Sequence, residues 1–324
     1  DQIQRPIQPG RQLESFAFLG SWNTFLSELA DKALPEDWDF SSSSQKDHYI
    51  LIQYIKYTFY RLKRENKVCI SRDRQFACFN TGLVDKHYDD IYACFVPNDP
   101  GSETEWKFSG FCTAASRTLG KQIVNCFNPL PQPPRYFEHG EQLFYDANRA
   151  LLTDFDHIII DNISRLPVQF LYDQFTDCEE ARTIVEELPT ADFRRKRELY
   201  EQLKTIVSDN SRLFIRIQNR LKDSIELAKK RVSRNYKTAI PSYYPKRNTM
   251  SLMLPLCLTD EETPDIALVV EQTEAGNYQG QTILTLPQAY VDARLLCQLN
   301  SEWLTTSKIN SDENDEATED ITTE

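Results

Sequence analysis

The sequence predicts an α+β protein: a mixed, mainly antiparallel sheet covered by helices, with a helical insertion. Three observations predict it. Amphipathic stretches with a 3.6-residue period lie at residues 21–34, 47–66 and 191–235. Short apolar runs rich in Val, Ile, Phe and Tyr lie between them, bounded by turn residues. Helical and strand-like segments come in blocks along the chain: two helices, a strand-rich stretch, a long helical region, and strands again. With 324 residues, 40% of them hydrophobic, the chain can bury a large core without disulfides or metals.

Residues 1–15 are rich in Gln and Pro and are predicted to be a linker. From Ser21 to Leu34 a helix carries Trp22, Phe25, Leu26, Leu29, Ala30 and Ala33 on one face, and Pro35 ends it. The second helix, 47–66, has the stripe Ile52, Ile55, Phe59 and Leu62. Strands are predicted at 67–71 and 75–80, joined by a turn at Arg72-Asp73, and again at 91–96 and 105–111. The segment 128–134 holds four prolines, which lack the backbone donor that helices and central strands need. Residues 156–162 read as a buried strand with polar ends. The 191–235 region is expected to break near 208–211, and its second helix has Phe214, Ile217, Leu221, Ile225, Ala228 and Val232 on one face. Strands return at 250–258, 266–271 and 281–286, before a final helix at 288–297. The runs 75–80 and 266–271 are expected to share one sheet, because both need partners. No internal repeat is apparent. The organisation is therefore a linker, one domain over 16–306 with a basic helical insertion near 185–245, and an acidic tail over 307–324 that is expected to be disordered.

The net charge is −12, which argues against a uniformly basic nucleic-acid binder. Its distribution is uneven. Residues 194–247 hold sixteen Lys/Arg against five Asp/Glu, so that segment carries +11 and the rest of the chain −23. Eight cysteines are present without a CxxC pair, and no His stands at zinc-ligand spacing. They read as small buried hydrophobes in a reducing, cytoplasmic setting. No apolar run approaches the roughly 20 residues needed to span a bilayer, so no membrane partner is expected. Four His, nine Gly and no HExxH, Walker-type or serine-nucleophile motif give no basis for a metal or other cofactor.

Several blocks resemble a known family, the domain of unknown function 3825. They are Phe18-Leu-Gly-Ser-Trp22, Leu34-Pro-Glu-Asp-Trp38, Cys78-Phe-Asn-Thr-Gly-Leu83, Phe127-Asn-Pro-Leu-Pro131, Asp156-His-Ile-Ile-Ile-Asp-Asn162 and Arg165-Leu-Pro167. Ala267-Leu-Val-Val270, Tyr278-Gln-Gly280, Thr282-Ile-Leu-Thr-Leu286, Ala289-Tyr290 and Ala293-Arg-Leu295 continue the match, which spans about 15–305. The resemblance implies an RNA-related setting, because members are joined to cold-shock-like or other small RNA-binding modules. It assigns no chemistry.

Each candidate site residue also has a plainer structural role open to it. His157 and Asp161 are a possible acid–base pair, since a carboxylate fixes the imidazole tautomer and raises its basicity. The competing role is a hydrogen-bonded histidine at a strand end. Asn80 and Thr81, before Gly82, can present polar groups to a phosphate or ribose, or simply end a strand. Asn162, Arg165, Glu271, Tyr278 and Arg294 are further ligand-binding candidates. Arg294 lies in an apolar helix and needs an acid, with Glu271 a possible partner, or an anionic ligand. Several of His157, Asp161, Asn162, Asn80 and Arg294 are expected to converge. Arg212, Arg216 and Arg220 form a row at i, i+4 spacing, and Lys230 and Arg231 follow. With tyrosines interleaved, these suit single-stranded RNA, although a solvated helix face is the ordinary outcome. The leading expectation is RNA or nucleotide binding. The alternatives are a nucleotide- or RNA-processing hydrolase using His157 and Asp161, and a protein-interaction scaffold.

Overall fold

The computed structural model describes residues 7–43 and 46–310. Five layers build it: helix, sheet, helix, sheet, helix. The first sheet has the order β1-β5-β4-β3-β2, from β1 (Ala17–Phe18), β2 (Cys69–Ile70), β3 (Ala77–Val84), β4 (Asp90–Pro97) and β5 (Trp106–Cys112). The second has the order β6-β10-β9-β8-β7, from β6 (Leu151–Thr153), β7 (Ile240–Tyr244), β8 (Thr249–Leu256), β9 (Ile266–Gln272) and β10 (Tyr278–Thr285). In each sheet four strands form an antiparallel meander, and the first strand returns to pair parallel with the last, β1 with β5 and β6 with β10.

The helices are α1 (Gln12–Phe16), α2 (Trp22–Lys32), α3 (Tyr49–Arg64), α4 (Leu119–Cys126), α5 (Val168–Gln174), α6 (Glu179–Glu187), α7 (Phe193–Asp209), α8 (Ser211–Arg234) and α9 (Leu286–Leu296). Helix α3 explains why there are two sheets. Ile50, Leu51, Tyr54, Ile55, Tyr57, Phe59 and Leu62 are all buried, on faces too broad for one layer to cover. A single core joins Ala77, Phe79 and Phe95 of the first sheet to Met253, Val269 and Leu284 of the second, with α3 and α9 between them. The expectation that 75–80 and 266–271 share one sheet is therefore corrected: they lie in different sheets, facing one shared helical layer.

On its outer face the first sheet places Phe76, Cys78, Tyr92, Cys94 and Cys112 against Ile123 of α4. The second sheet's outer face, with Leu252, Leu254, Leu268 and Val270, is covered by Leu203 of α7 and by Leu213, Ile217, Leu221, Ile225 and Val232 of α8. The basic segment is thus the outer layer of the second sheet and not an appended arm. Three other expectations change. Pro9–Arg11 and α1 fold onto α3 with Leu13 fully buried, so this part of the supposed linker is structured. Residues 157–161 form a π-helical turn and not a strand. Asp154 starts that turn by accepting from the His157 amide at 3.1 Å, which outweighs the strand preference of three isoleucines. Finally, the strand order occurs twice, a repetition invisible in the sequence. The tail expectation falls largely on 311–324, outside the described residues; Ile309, just before them, is buried.

Candidate functional site

The middle layer holds a cavity of about 300 Å³ between α3, α9, β3 and the proline-rich loop. Its floor is an ion pair. Arg294 donates Nε to Glu36 Oε1 at 2.5 Å and Nη2 to Oε2 at 2.8 Å. Both side chains are under one-tenth exposed, and the guanidinium lies 5.1 Å from the Trp38 ring centroid and 4.9 Å from that of Tyr54. The acid that meets Arg294 is therefore Glu36, not Glu271. A two-point fork with aromatic faces supplies what a buried guanidinium needs. Trp38, Tyr54, Tyr88, Tyr136, Pro133 and Pro134 wall the space. Trp38 Nε1 is buried without a hydrogen-bond partner among the described residues.

Asn80 and Thr81 build one wall of this cavity from behind. Both are fully buried. Asn80 Nδ2 donates to Asp90 Oδ2 at 3.0 Å and to the Pro131 carbonyl at 3.2 Å, while its Oδ1 accepts from Gly82 N at 2.9 Å. Thr81 Oγ1 donates to the Ile91 carbonyl at 2.8 Å. Asp90 and nearby backbone groups take up their polar atoms, so in this fold both side chains brace the wall instead of lining the cavity. They hold a break in strand register between Asn80 and Val84. Gly82 sits there at φ +74°, and a Cβ on it would meet the Tyr54 hydroxyl oxygen at 2.5 Å.

The other expected members do not join Arg294. His157 Nδ1 and Asp161 Oδ2 are 2.8 Å apart, as the acid–base reading requires, but their side chains are 42% and 65% exposed. Asn162 Nδ2 donates to the His157 carbonyl at 2.9 Å, closing the π-turn. Arg165 Nη1 donates to Thr282 Oγ1 at 3.2 Å and the Ile283 carbonyl at 2.9 Å, capping the stretch of β10 that β6 leaves unpaired. Tyr278 stacks on Tyr145 at 4.5 Å, and its hydroxyl accepts from Asp146 N at 2.9 Å. Glu271 lies 3.4 Å from Arg247, and burial raises its carboxyl pKa. The single converging site thus resolves into separate groups around the two sheets.

Sequence reasoning passed over Asp292, on α9 beside Arg294. Burial pushes its carboxyl well above the usual range, and Arg165 offsets this only in part. The signal was present: α9 carries both an acid and a base in an otherwise apolar helix.

Much of the basic row is committed to the fold. Arg216 Nη2 meets Asp177 Oδ2 at 2.5 Å, and its Nη1 meets the Gln174 carbonyl at 2.7 Å. Arg220 donates to the Leu258 carbonyl at 3.2 Å. Arg212 is exposed, near enough to help Arg216 lower the Asp177 carboxyl pKa. Two of the three members of the row thus staple α8 to its neighbours.

Past these staples, the end of α8 opens into a cavity of about 1050 Å³. Lys230, Arg231, Ser233, Arg234 and Asn235 line it from α8, Glu262 and Thr263 from the β8–β9 loop, and Glu302, Trp303 and Lys308 from the C-terminal segment. Four cations face two acids. Arg231 is braced within the wall, donating to Cys257 Sγ at 3.1 Å and to the Glu261 carbonyl. Trp303 is pinned by a 3.0 Å bond from Nε1 to the Thr238 carbonyl. Nearby, Phe144 and Tyr236 are both more than half exposed, with ring centroids 5.6 Å apart. Among the described residues no cluster of three or more His, Cys, Asp or Glu is arranged to hold a metal ion.

These features define an α+β protein of two like-ordered sheets around a shared helical layer, with a basic cavity at its outer helices and an aromatic one at its centre. The chain matches the family described as "Domain of unknown function (DUF3825)" over residues 29–303 and belongs to it. No curated protein and no solved structure matches the chain.

Proposed function

We infer that this domain binds single-stranded RNA or nucleotides through the cavity at the end of α8. One observation carries the reading: a chain of net charge −12 gathers Lys230, Arg231, Arg234 and Lys308 around one large cavity. Some of this charge serves the fold, since Arg231 and Arg234 lie in the last turn of α8 and complement its dipole. The dipole does not account for Lys308, which reaches the same cavity from a distant segment. Ser233 and Asn235 add hydrogen-bonding groups at the rim. The exposed rings of Phe144 and Tyr236 are the kind of platform on which unpaired bases stack.

The test is anisotropy of a labelled single-stranded RNA across a salt series, with the parent and a Lys230→Glu/Arg234→Glu variant. Each neutralised phosphate releases counterions, so parent affinity is expected to fall steeply with salt, and the variant is expected to bind weakly with a shallower slope. No binding by the parent, or equal binding by the variant, overturns the reading and favours a protein-interaction scaffold.

A hydrolase reading rests on a different observation, the 2.8 Å contact between His157 Nδ1 and Asp161 Oδ2. Such a pair can take a proton from an attacking hydroxyl or water. The pair is exposed, and neither cavity described above includes it. Incubation with labelled RNA, for the parent and His157→Ala, tests it: only cleavage lost in the variant supports it.

A further inference from the structure

We propose that the central cavity at the Arg294–Glu36 pair receives a single unpaired nucleobase from the strand whose phosphates meet the basic cavity. This rests on the reading above and deepens it. The cavity's size, about 300 Å³, is at the small end for ligand pockets and suits one flat heterocycle, not a chain. Its walls carry the flat rings of Trp38, Tyr88 and Tyr136 beside two prolines. The floor favours a neutral ligand. Arg294 already occupies the cation position over Trp38 and Tyr54, and Glu36 already neutralises it, so neither a cation nor a phosphate gains an unpaired charge there. Hydrogen-bonding capacity is left over. Each Glu36 oxygen accepts one bond from Arg294 and retains a further lone pair. An acceptor and aromatic walls match the in-plane edge and the π-face of a base.

Continuity ties this cavity to the basic one. The chain following α9 lines three hollows in turn. Cys297 and Gln298 border the central cavity and also a smaller hollow, of about 210 Å³, formed with Phe144 and Tyr236. That hollow ends at Ser301, and Glu302 and Trp303 begin the wall of the basic cavity. A strand laid along residues 294–308 would meet a half-open base pocket, a stacking platform and then a basic surface.

Ribonucleosides separate this inference from the reading beneath it, because they carry no phosphate. Adenosine, guanosine, cytidine and uridine are each titrated into the parent protein by calorimetry at low and high salt. At least one is expected to bind with an affinity that salt does not change. Tyr88→Asn is the working variant. Tyr88 is 75% exposed and has a positive φ, so its removal spares the core, and Asn suits that backbone. It should weaken nucleoside binding about fivefold or more, the usual loss of one stacking partner. Lys230→Glu/Arg234→Glu should leave nucleoside binding unchanged. If no nucleoside binds, or Tyr88→Asn binds as the parent does, the base pocket is overturned even where oligonucleotide binding persists. If nucleosides bind and oligonucleotides do not, the RNA reading falls, and the strand continuing from this pocket falls with it.

Discussion

At the scale of single residues, the charged groups of α9 set the sharpest expectations. Glu36 and Arg294 are buried together, so removing one leaves an uncompensated charge. Arg294→Ala or Glu36→Ala is expected to cost about 3–5 kcal/mol of stability, read from urea unfolding. Replacing both with apolar residues of similar volume should cost less than either single change. Asp292 makes a pH prediction. Its carboxyl pKa is raised by burial in the folded state, so the native protein holds that proton more tightly than the unfolded chain does. The stabilising contribution is complete below the ordinary Asp range near about 4 and is lost as pH rises through the folded value. Asp292→Asn suffers no such loss. Its stability relative to the parent should climb from acid to neutral pH, and a pH-independent difference would contradict the assignment. The sequence showed that Arg294 required a partner. It did not show that Glu36, 258 residues away, would be that partner, because contacts at such separation follow from chain topology.

At the scale of elements, α8 divides into two roles along its length. Its apolar face follows the period the sequence displayed, and Ile217 and Leu221 are buried against the second sheet. Leu221→Ala is expected to cost about 2–5 kcal/mol through lost burial and a residual cavity. Arg216 and Arg220 bond to neighbouring segments, so Arg216→Ala/Arg220→Ala should lower the unfolding midpoint more than it changes RNA affinity. The end of the helix should show the opposite pattern, with Lys230→Glu altering binding and leaving unfolding nearly unchanged. Periodicity reveals which face of a helix is buried. It does not reveal which exposed cations will find a carbonyl or carboxylate on another element, and Arg216 and Lys230 look alike in the sequence for that reason. The π-turn at 157–161 departs from the strand expected there for a related cause. Ile158-Ile159-Ile160 favours a strand locally, while Asp154, Asn162 and packing against α7 and α8 favour the turn.

At the scale of the molecule, the shared core decides how the chain comes apart. Residues 17–126 and 151–296 repeat one strand order, yet α3 and α9 are buried jointly between the sheets. Expressed alone, residues 7–140 would expose the α3 face that normally meets α9 and the second sheet. That fragment is expected to lack a cooperative unfolding transition by circular dichroism, and a sharp transition would show two independent halves. All eight cysteines are free in the structure, with Cys94 and Cys112 sulfurs 3.6 Å apart in the outer layer of the first sheet. Thiol titration of the denatured, unreduced protein should therefore find eight. Among the described residues no helix is long and apolar enough to cross a membrane.

By itself, the sequence determined the α+β class, most of the helices and strands, the uneven charge and the family. Each is a local or additive property: side-chain period, turn chemistry, a sum of charges or a run of matching blocks. The tertiary structure decided that the strands form two sheets with one order, that Asn80 and Thr81 serve the backbone, and that Lys308 comes to the end of α8. It also decided that Glu36, Trp38, Tyr88 and Arg294 line one cavity. Those outcomes depend on which distant segments bury one another, and a pattern read along the chain contains the need for a partner without its identity.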